Sequence, residues 1–289
     1  MQFLQKSYGP YLLLLLLSVP LFFLNICDVH SWGDDFSQYI KEAQNIANGK
    51  PYYLSNYIFN AYNPVYAPPQ YPPGFPLLLA PVIKFWGLSF RAMCYFNTVI
   101  AVFLSFALFA FFRKHTGIIA AICLSVMMTY SGFMIDLKRS VLADASCLLF
   151  VLLYLTARNS AHYSWRRILL LVVFAVAAIQ ARSQAIFLLG GEIAFLAVSF
   201  IIAAFKERKF NFRAVLGSPS LLIVAGAFIL NTFLDKVIFY TPLSTTGFYN
   251  NFIREALHDS VFHIAAQYLT YVMTTISSFF HYDTYSCLL

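Results

Sequence analysis

Charge is what this sequence has least of. Asp, Glu, Lys and Arg together make up 11% of its 289 residues, where a soluble domain carries roughly 25%. Hydrophobic residues make up 60% and aromatic residues 18%. A soluble core cannot enclose that much apolar surface, which excludes a soluble globular fold and implies lipid as the solvent. Cysteine is sparse as well. Cys27, Cys94, Cys123, Cys147 and Cys287 are scattered without any C-x-x-C spacing, so neither a disulfide framework nor a zinc knuckle is encoded. Short-period repeats and low-complexity tails are missing. No basic run carries interleaved aromatics, which leaves nucleic acid out as a partner.

Long apolar runs are what is there. Residues 10–27, 92–112, 116–135 and 214–234 are uncharged, each near the roughly 20 residues needed to cross hydrocarbon. Residues 140–157, 183–205 and 261–282 are nearly as apolar but contain Asp144, Glu192 and His263, respectively. Residues 168–181 are shorter and cross only with Trp165 and Arg182 in the two interfaces. The expectation is an all-α polytopic membrane protein of about eight spans, one domain over residues 1–289.

The first apolar run is followed by "LNICDVHSWG" with no small-x-small cleavage pattern, so it is expected to stay as an anchor. With Lys6 placed in the cytoplasm, the inner loops hold Arg113, Lys114, Arg158, Arg166, Arg167, Lys206, Arg208, Lys209 and Arg213, while the short outer loops hold only Lys138, Arg139 and Arg182. The net charge of +7 then reflects an inner basic collar facing anionic lipid. Residues 31–87 form one large outer loop.

That loop opens with "SWGDDFSQYIKEAQNIANG", which places Asp34 and Asp35 side by side just past the first run. Phe36, Tyr39, Ile40, Ala43, Ile46 and Ala47 recur at helical spacing, and Asn48-Gly49 with Pro51 beyond stops the helix. An amphipathic helix lying on the membrane surface is expected. "PYYLSNYIFNAYNPVYAPPQYPPGFP" follows, too rich in proline for regular helix. Its tyrosines can stack on a sugar or anchor to headgroups. "FPLLLAPVIKFWG" is apolar but too short to span, so it reads as an interfacial or re-entrant helix ending at Gly87.

In this layout the chain resembles the C-type membrane glycosyltransferases, close to bacterial aminoarabinose transferases and to protein mannosyltransferases that use dolichyl phosphate mannose. The resemblance rests on the first span, then W-x-D-D/E-x-x-Y at Trp32, Asp34, Asp35 and Tyr39. A Pro-Pro turn at Pro72 and Pro73 then leads into an apolar helix closing on Gly87, and Asp144 opens the fourth span in "SVLADASCLLF". It covers about residues 10–210. The chain ends soon after the eighth run, whereas the family usually carries further spans, so a short or truncated member is implied.

The resemblance implies transfer of a hexosyl or pentosyl group from a polyprenyl phosphate donor to a lipid, glycan or protein acceptor. The implied site faces outward from a bacterial plasma (inner) membrane. Asp34 matches the family's catalytic acid and would take the acceptor's proton, with Asp35 in support. The bland reading is that Asp34 caps a helix and Asp35 favours its dipole. Asp144 either positions the acceptor or pairs with Arg139. Arg182 either grips the lipid phosphate or snorkels as an anchor. Tyr39, Tyr71, Arg139 and Arg182 are the candidate substrate-binding side chains. Glu192 and His263 read as structural.

The sequence departs from the aminoarabinose transferases at two basic positions, where Gln70 and Ser37 stand, so Lys84 or Arg91 is an alternative phosphate contact. No cofactor is indicated and no His/Asp cluster of ligand spacing occurs, which leaves divalent-metal use open. A lipid-carrier flippase or transporter and a non-catalytic scaffold are the alternative functions. Paired broken helices in repeated halves, the mark of many transporters, are not seen in the sequence.

Overall fold

The computed structural model describes residues 8–26, 28, 35–54, 71–159, 164–207 and 218–239. Trp32, Asp34, Gln70, the tyrosine-rich residues 55–70, His263 and the run 261–282 lie outside the described residues. Every regular element among those described is helical, and none is a strand.

Helix α1 (Gly9–Ser18) tightens into a 3-10 turn at Val19–Phe22. Pro20 has no N–H to donate to the preceding turn, where the Leu16 carbonyl accepts from the Val19 N–H; the Ser18 hydroxyl bonds the Leu14 carbonyl one turn back at 2.7 Å. The first apolar run is therefore not one straight helix over residues 10–27. Helix α2 (Phe36–Ala47) ends at Asn48, with Gly49 at φ +67°. Helix α3 (Gly74–Trp86) ends on Gly87 at φ 68°. Both stops fall where the glycines predict them.

Helix α4 (Phe90–Phe112) is 23 residues long and begins with the Ser89 hydroxyl accepting from the Ala92 N–H at 3.3 Å. The run at 116–135 folds as two helices, α5 (Ile118–Thr129) and α6 (Gly132–Arg139), bent by 54°. Tyr130 and Ser131 fall at the break, where Ser131 caps α6 by accepting from the Met134 N–H at 3.4 Å. Helix α7 (Asp144–Arg158) leads to α8 (Trp165–Ala181), which is capped by Ser164. A 3-10 turn at Ser183–Ile186 then enters α9 (Phe187–Glu207). Helix α10 (Pro219–Phe233), with Ser218 as cap and proline in its first turn, continues as a π-turn over Leu234–Ile238.

Three stretches are long and apolar enough to cross a membrane: Phe90–Phe112, Ser183–Ala203 and Pro219–Ile238. The bent pair makes a fourth if it counts as one span. Helices α7 and α8 have 15 and 17 residues, respectively. Large apolar side chains such as Phe103, Phe195, Phe205 and Phe228 are exposed, as lipid-facing residues of a membrane protein are.

The interior divides among neighbouring helices. Leu171, Val172, Ala175 and Ile179 of α8 pack with Tyr154, Leu189, Ile223 and Ala227 of α7, α9 and α10. Leu104, Ala107 and Leu108 of α4 meet Met134, Leu137 and Leu152. Leu14 meets Phe109, Ala121 and Ile122. A fourth cluster joins Phe36, Tyr39 and Ala43 of α2 to Phe75, Leu79 and Ile83 of α3, with Met93, Val141 and Ala143 beside them.

Helix α2 differs from its expected role as a surface helix. Its apolar stripe packs on α3, and its polar residues Gln38, Glu42 and Asn45 are buried too. The chain after the helix folds back over that face, so that the Asn45 amide donates to the carbonyls of Tyr52 at 3.2 Å and Leu54 at 2.8 Å.

Candidate functional site

Asp35, Tyr39, Tyr71, Asp144 and Arg182 converge at one end of the bundle, where the starts of α2, α3 and α7 meet the end of α8. Asp144 occupies the first turn of α7, where a carboxylate faces the positive end of the helix dipole. Arg182 ends α8 in extended conformation, with its N–H still bonded to the Ala178 carbonyl. That bend turns the guanidinium toward α7. Its Nη1 pairs with Asp144 Oδ2, and its Nε donates to Gln184 Oε1 at 2.9 Å. The two charged side chains are about a third exposed, at 30% and 32%. Asp144 thus has Arg182 as its ion partner rather than Arg139, the neighbour that sequence proximity suggested.

Tyr39 is the hub of the cluster. It is 1% exposed, with its ring 4.6 Å from that of Tyr71 and edge-on to Phe75 at 5.2 Å. Burial pushes its hydroxyl well above the ordinary tyrosine range, Arg182 acts in the opposite direction, and Asp35, Asp144 and Glu42 add to the rise. Four charged or ionisable groups from α2, α7 and the end of α8 therefore lie within electrostatic reach of one phenol. Asp35 also acts on Asp144 and Arg182. It stands at the cap position of α2 without a side-chain capping bond, and its carbonyl accepts from the Gln38 and Tyr39 N–H groups. The capping role considered for Asp34 lies outside the described residues.

The backbones approach closely here. A Cβ on Gly74 would stand 2.5 Å from both the carbonyl carbon and oxygen of Gln180, so only glycine lets the start of α3 reach the end of α8. Gln180 donates to Asn231 Oδ1 at 3.1 Å and to Asp235 Oδ1 at 2.8 Å. This ties the same spot to α10 and its π-turn.

Not every candidate gathers at this place. Arg139 contributes its carbonyl, accepting from the Cys94 thiol at 3.5 Å. Lys138 is 1% exposed and donates to the carbonyls of Leu21, at 2.8 Å, and Leu24 beyond the break in α1. Arg91 pairs with the exposed Asp28, and Lys84 sits in the last turn of α3. Glu192 lies in a separate network, where it accepts from Tyr154 at 2.6 Å and from Arg158 at 2.6 and 3.2 Å. Arg158 also donates to Ser220 at 3.1 Å, so the acid in α9 is held by a structural network. Among the described residues, no three His, Cys, Asp or Glu side chains stand together as a metal site.

Glu42 was not singled out in the sequence, yet it is fully buried one turn past Tyr39. Burial pushes its carboxyl up to about 8, opposed by hydrogen bonds from Tyr71 and Gln38. The signal was its spacing, seven after Asp35 and three after Tyr39, which puts all three on one helix face. In comparisons with known proteins, no family model, curated protein or solved structure matches the chain.

Proposed function

We propose that this chain is a membrane glycosyltransferase that takes a sugar from a polyprenyl phosphate and passes it to a hydroxyl or amine of a lipid, glycan or protein. We place its site on the outer face of a bacterial plasma membrane. The shorter helices α1, α7 and α8 and the run 261–282 would complete about eight spans. The observation that supports the reading is the Asp144–Arg182 pair set beside the Tyr39–Tyr71 ring pair and within the field of Asp35. It brings an acid, a guanidinium and a tilted pair of aromatic rings together from α2, α7, the end of α8 and the segment before α3.

In the proposed reaction the acceptor's oxygen or nitrogen attacks the anomeric carbon, and the bond from that carbon to the phosphate oxygen breaks. The electron pair leaves with the phosphate. Arg182 offers planar donors to the charge growing there, and Asp144 holds the guanidinium in its rotamer. The proton lost by the acceptor passes to Asp34, the residue before Asp35. The tyrosine rings supply flat apolar surface for a sugar face.

Purified chain in lipid nanodiscs, supplied with a polyprenyl phosphate mannose and an acceptor mixture, is expected to release polyprenyl phosphate and glycosylated product detectable by mass spectrometry. Asp34→Asn keeps the size and capping ability of the side chain but cannot take a proton at neutral pH. It is expected to slow transfer by about 100-fold to 10,000-fold while donor binding persists. No release by the parent chain, or an unchanged rate in Asp34→Asn, overturns the assignment. Lipid movement across the bilayer without transfer would assign a carrier instead.

A further inference from the structure

Glu42 has an unusual set of partners. It is 0% exposed, and none of the ion pairs among the described residues includes it. Two donors reach it, the Gln38 amide at 3.2 Å and the Tyr71 backbone N–H at 3.1 Å, and both go to Oε1. Its Oε2 is buried with no hydrogen-bond partner among the described residues. An ionised carboxylate spreads its charge over both oxygens and, when buried, needs donors on each. With two bonds on Oε1 and none on Oε2, the neutral acid is favoured, because an unpartnered Oε2 hydroxyl costs far less to bury than an unpartnered share of charge.

Among the described residues, the groups around it supply no cation in contact. On α2 these are Asp35, Tyr39 and Lys41, whose ammonium bonds Gln44 at 3.4 Å. After α2 come Lys50, Tyr52 and Tyr53, and on the α3 side Tyr71 and the distant Lys84. Tyr52 feels both Glu42 and, from the end of α10, Asp235. Arg182 acts on Tyr39 but is not among the groups acting on Glu42.

We propose that Glu42 is a positioning residue: as a neutral acid it clamps the Tyr71 backbone from α2, which holds the Tyr71 ring against Tyr39 beside the Asp144–Arg182 pair. The link is covalently short, because Tyr71 stands three residues before Gly74, itself wedged on Gln180. Ionisation places in that enclosure a charge that only the two donors on Oε1 offset, with Oε2 bare. The clamped segment must then move to admit water, and the ring pair loses its register. Glu42 touches no reacting group and acts only through Tyr71. Its effect on donor binding rests on the transferase reading; the clamp does not.

The test uses the full chain in nanodiscs, with Glu42→Gln and Glu42→Leu. A glutamine copies the neutral acid, since its Oε1 accepts the Tyr71 N–H and its amide hydrogens replace the acid proton. Leucine fills the space but removes the carboxyl acceptor of that N–H. The first readout is hydrogen exchange at the Tyr71 amide, compared between parent and variants at equal pH. Parent and Glu42→Gln should be equally protected at neutral pH. Above about pH 8 the parent alone should lose protection, and Glu42→Leu should be unprotected throughout.

The second readout is affinity for a polyprenyl phosphate mannose. It should fall in the parent as pH passes about 8, stay level in Glu42→Gln, and be about tenfold weaker in Glu42→Leu at all pH, because the unclamped Tyr71 segment must be ordered when the donor binds. Identical pH profiles for parent and Glu42→Gln, or full Tyr71 protection in Glu42→Leu, overturn the proposal. If the parent binds no donor lipid at any pH, the transferase reading falls, and hydrogen exchange still decides the clamp.

Discussion

Arg182 shows how much the function of one side chain depends on where its helix stops. Had α8 continued, the guanidinium would have followed the helix face; the extended backbone at the cap instead carries it to Asp144 and Gln184. A planar fork can hold Asp144 on one edge and phosphate oxygens on another, whereas an ammonium is a point charge. Arg182→Lys is therefore expected to weaken binding of a polyprenyl phosphate severalfold, and Arg182→Ala by more than about tenfold, since charge-assisted bonds are worth roughly 1.5–3 kcal/mol. Equal affinities measured for the three forms would make Arg182 an interfacial anchor. Glu42 gives a second expectation at this scale. Its carboxyl is raised by burial from 4.5 to about 8, so the folded chain holds a proton that the unfolded chain releases. Its contribution to stability is complete below about pH 4.5 and declines as the pH rises to about 8. The parent's unfolding midpoint should drop over that window relative to Glu42→Gln, and parallel curves for the two would contradict a raised carboxyl.

At the scale of elements, the junction of α2, α3 and α8 depends on Gly74. A methyl group there would press on the Gln180 backbone from 2.5 Å, and backbone, unlike a side-chain end, cannot swing away. Gly74→Ala is expected to cost about 1–3 kcal/mol, seen as a lower unfolding midpoint, and to weaken donor binding because Tyr71 moves with α3. Gly226→Ala, facing a Val172 methyl at 3.0 Å, should be milder, since that side chain can adjust. These junctions also show what was legible in the sequence. Helix stops at Gly49 and Gly87, the amphipathic α2, and the long apolar α4 and α9 follow from period and punctuation in the sequence. The bend at Tyr130–Ser131 does not, because an uncharged run conceals a break that only a small capping hydroxyl marks. Glu42 was passed over because an acid beside an apolar stripe reads as the wet face of a surface helix. The segment at Tyr52–Leu54 dries that face, and a tertiary cover leaves no local trace in the sequence. The gathering of Tyr39, Asp144 and Arg182 was implied only by the resemblance, not by period or punctuation, since more than a hundred residues separate the first from the second.

At the scale of the whole molecule, the partly exposed Asp144–Arg182 pair and the more deeply set Glu192 network stand at different depths. From Asp144 to Arg158 the α7 axis rises about 20 Å at 1.5 Å per residue, so the Glu192 network lies well away from the candidate site. Glu192→Ala takes the carboxylate from the half-buried Arg158, which keeps its bond to Ser220, and should destabilise the chain by about 1–3 kcal/mol without changing the donor affinity of the protein that remains folded. The same geometry fixes which loops share an end. Arg158 closes α7 just before Arg166 and Arg167 open α8, and Lys114, past the end of α4, bonds the Asn159 carbonyl at 3.1 Å. These basic residues collect at one end; Asp35, Asp144 and Arg182 lie at the other. Basic loops stay in the cytoplasm, so the end holding Arg166 should face inward and the end holding Lys50, just past α2, outward. In a variant whose native cysteines are replaced by alanine or serine, a cysteine placed at Lys50 should react with a membrane-impermeant maleimide in intact cells. One placed at Arg166 should react only after the membrane is opened. Labelling of both positions in intact cells would mean that the two ends do not lie on opposite faces. The reversed pattern would put Asp144 and Arg182 in the cytoplasm, where a sugar donor presented on the outer leaflet cannot reach them.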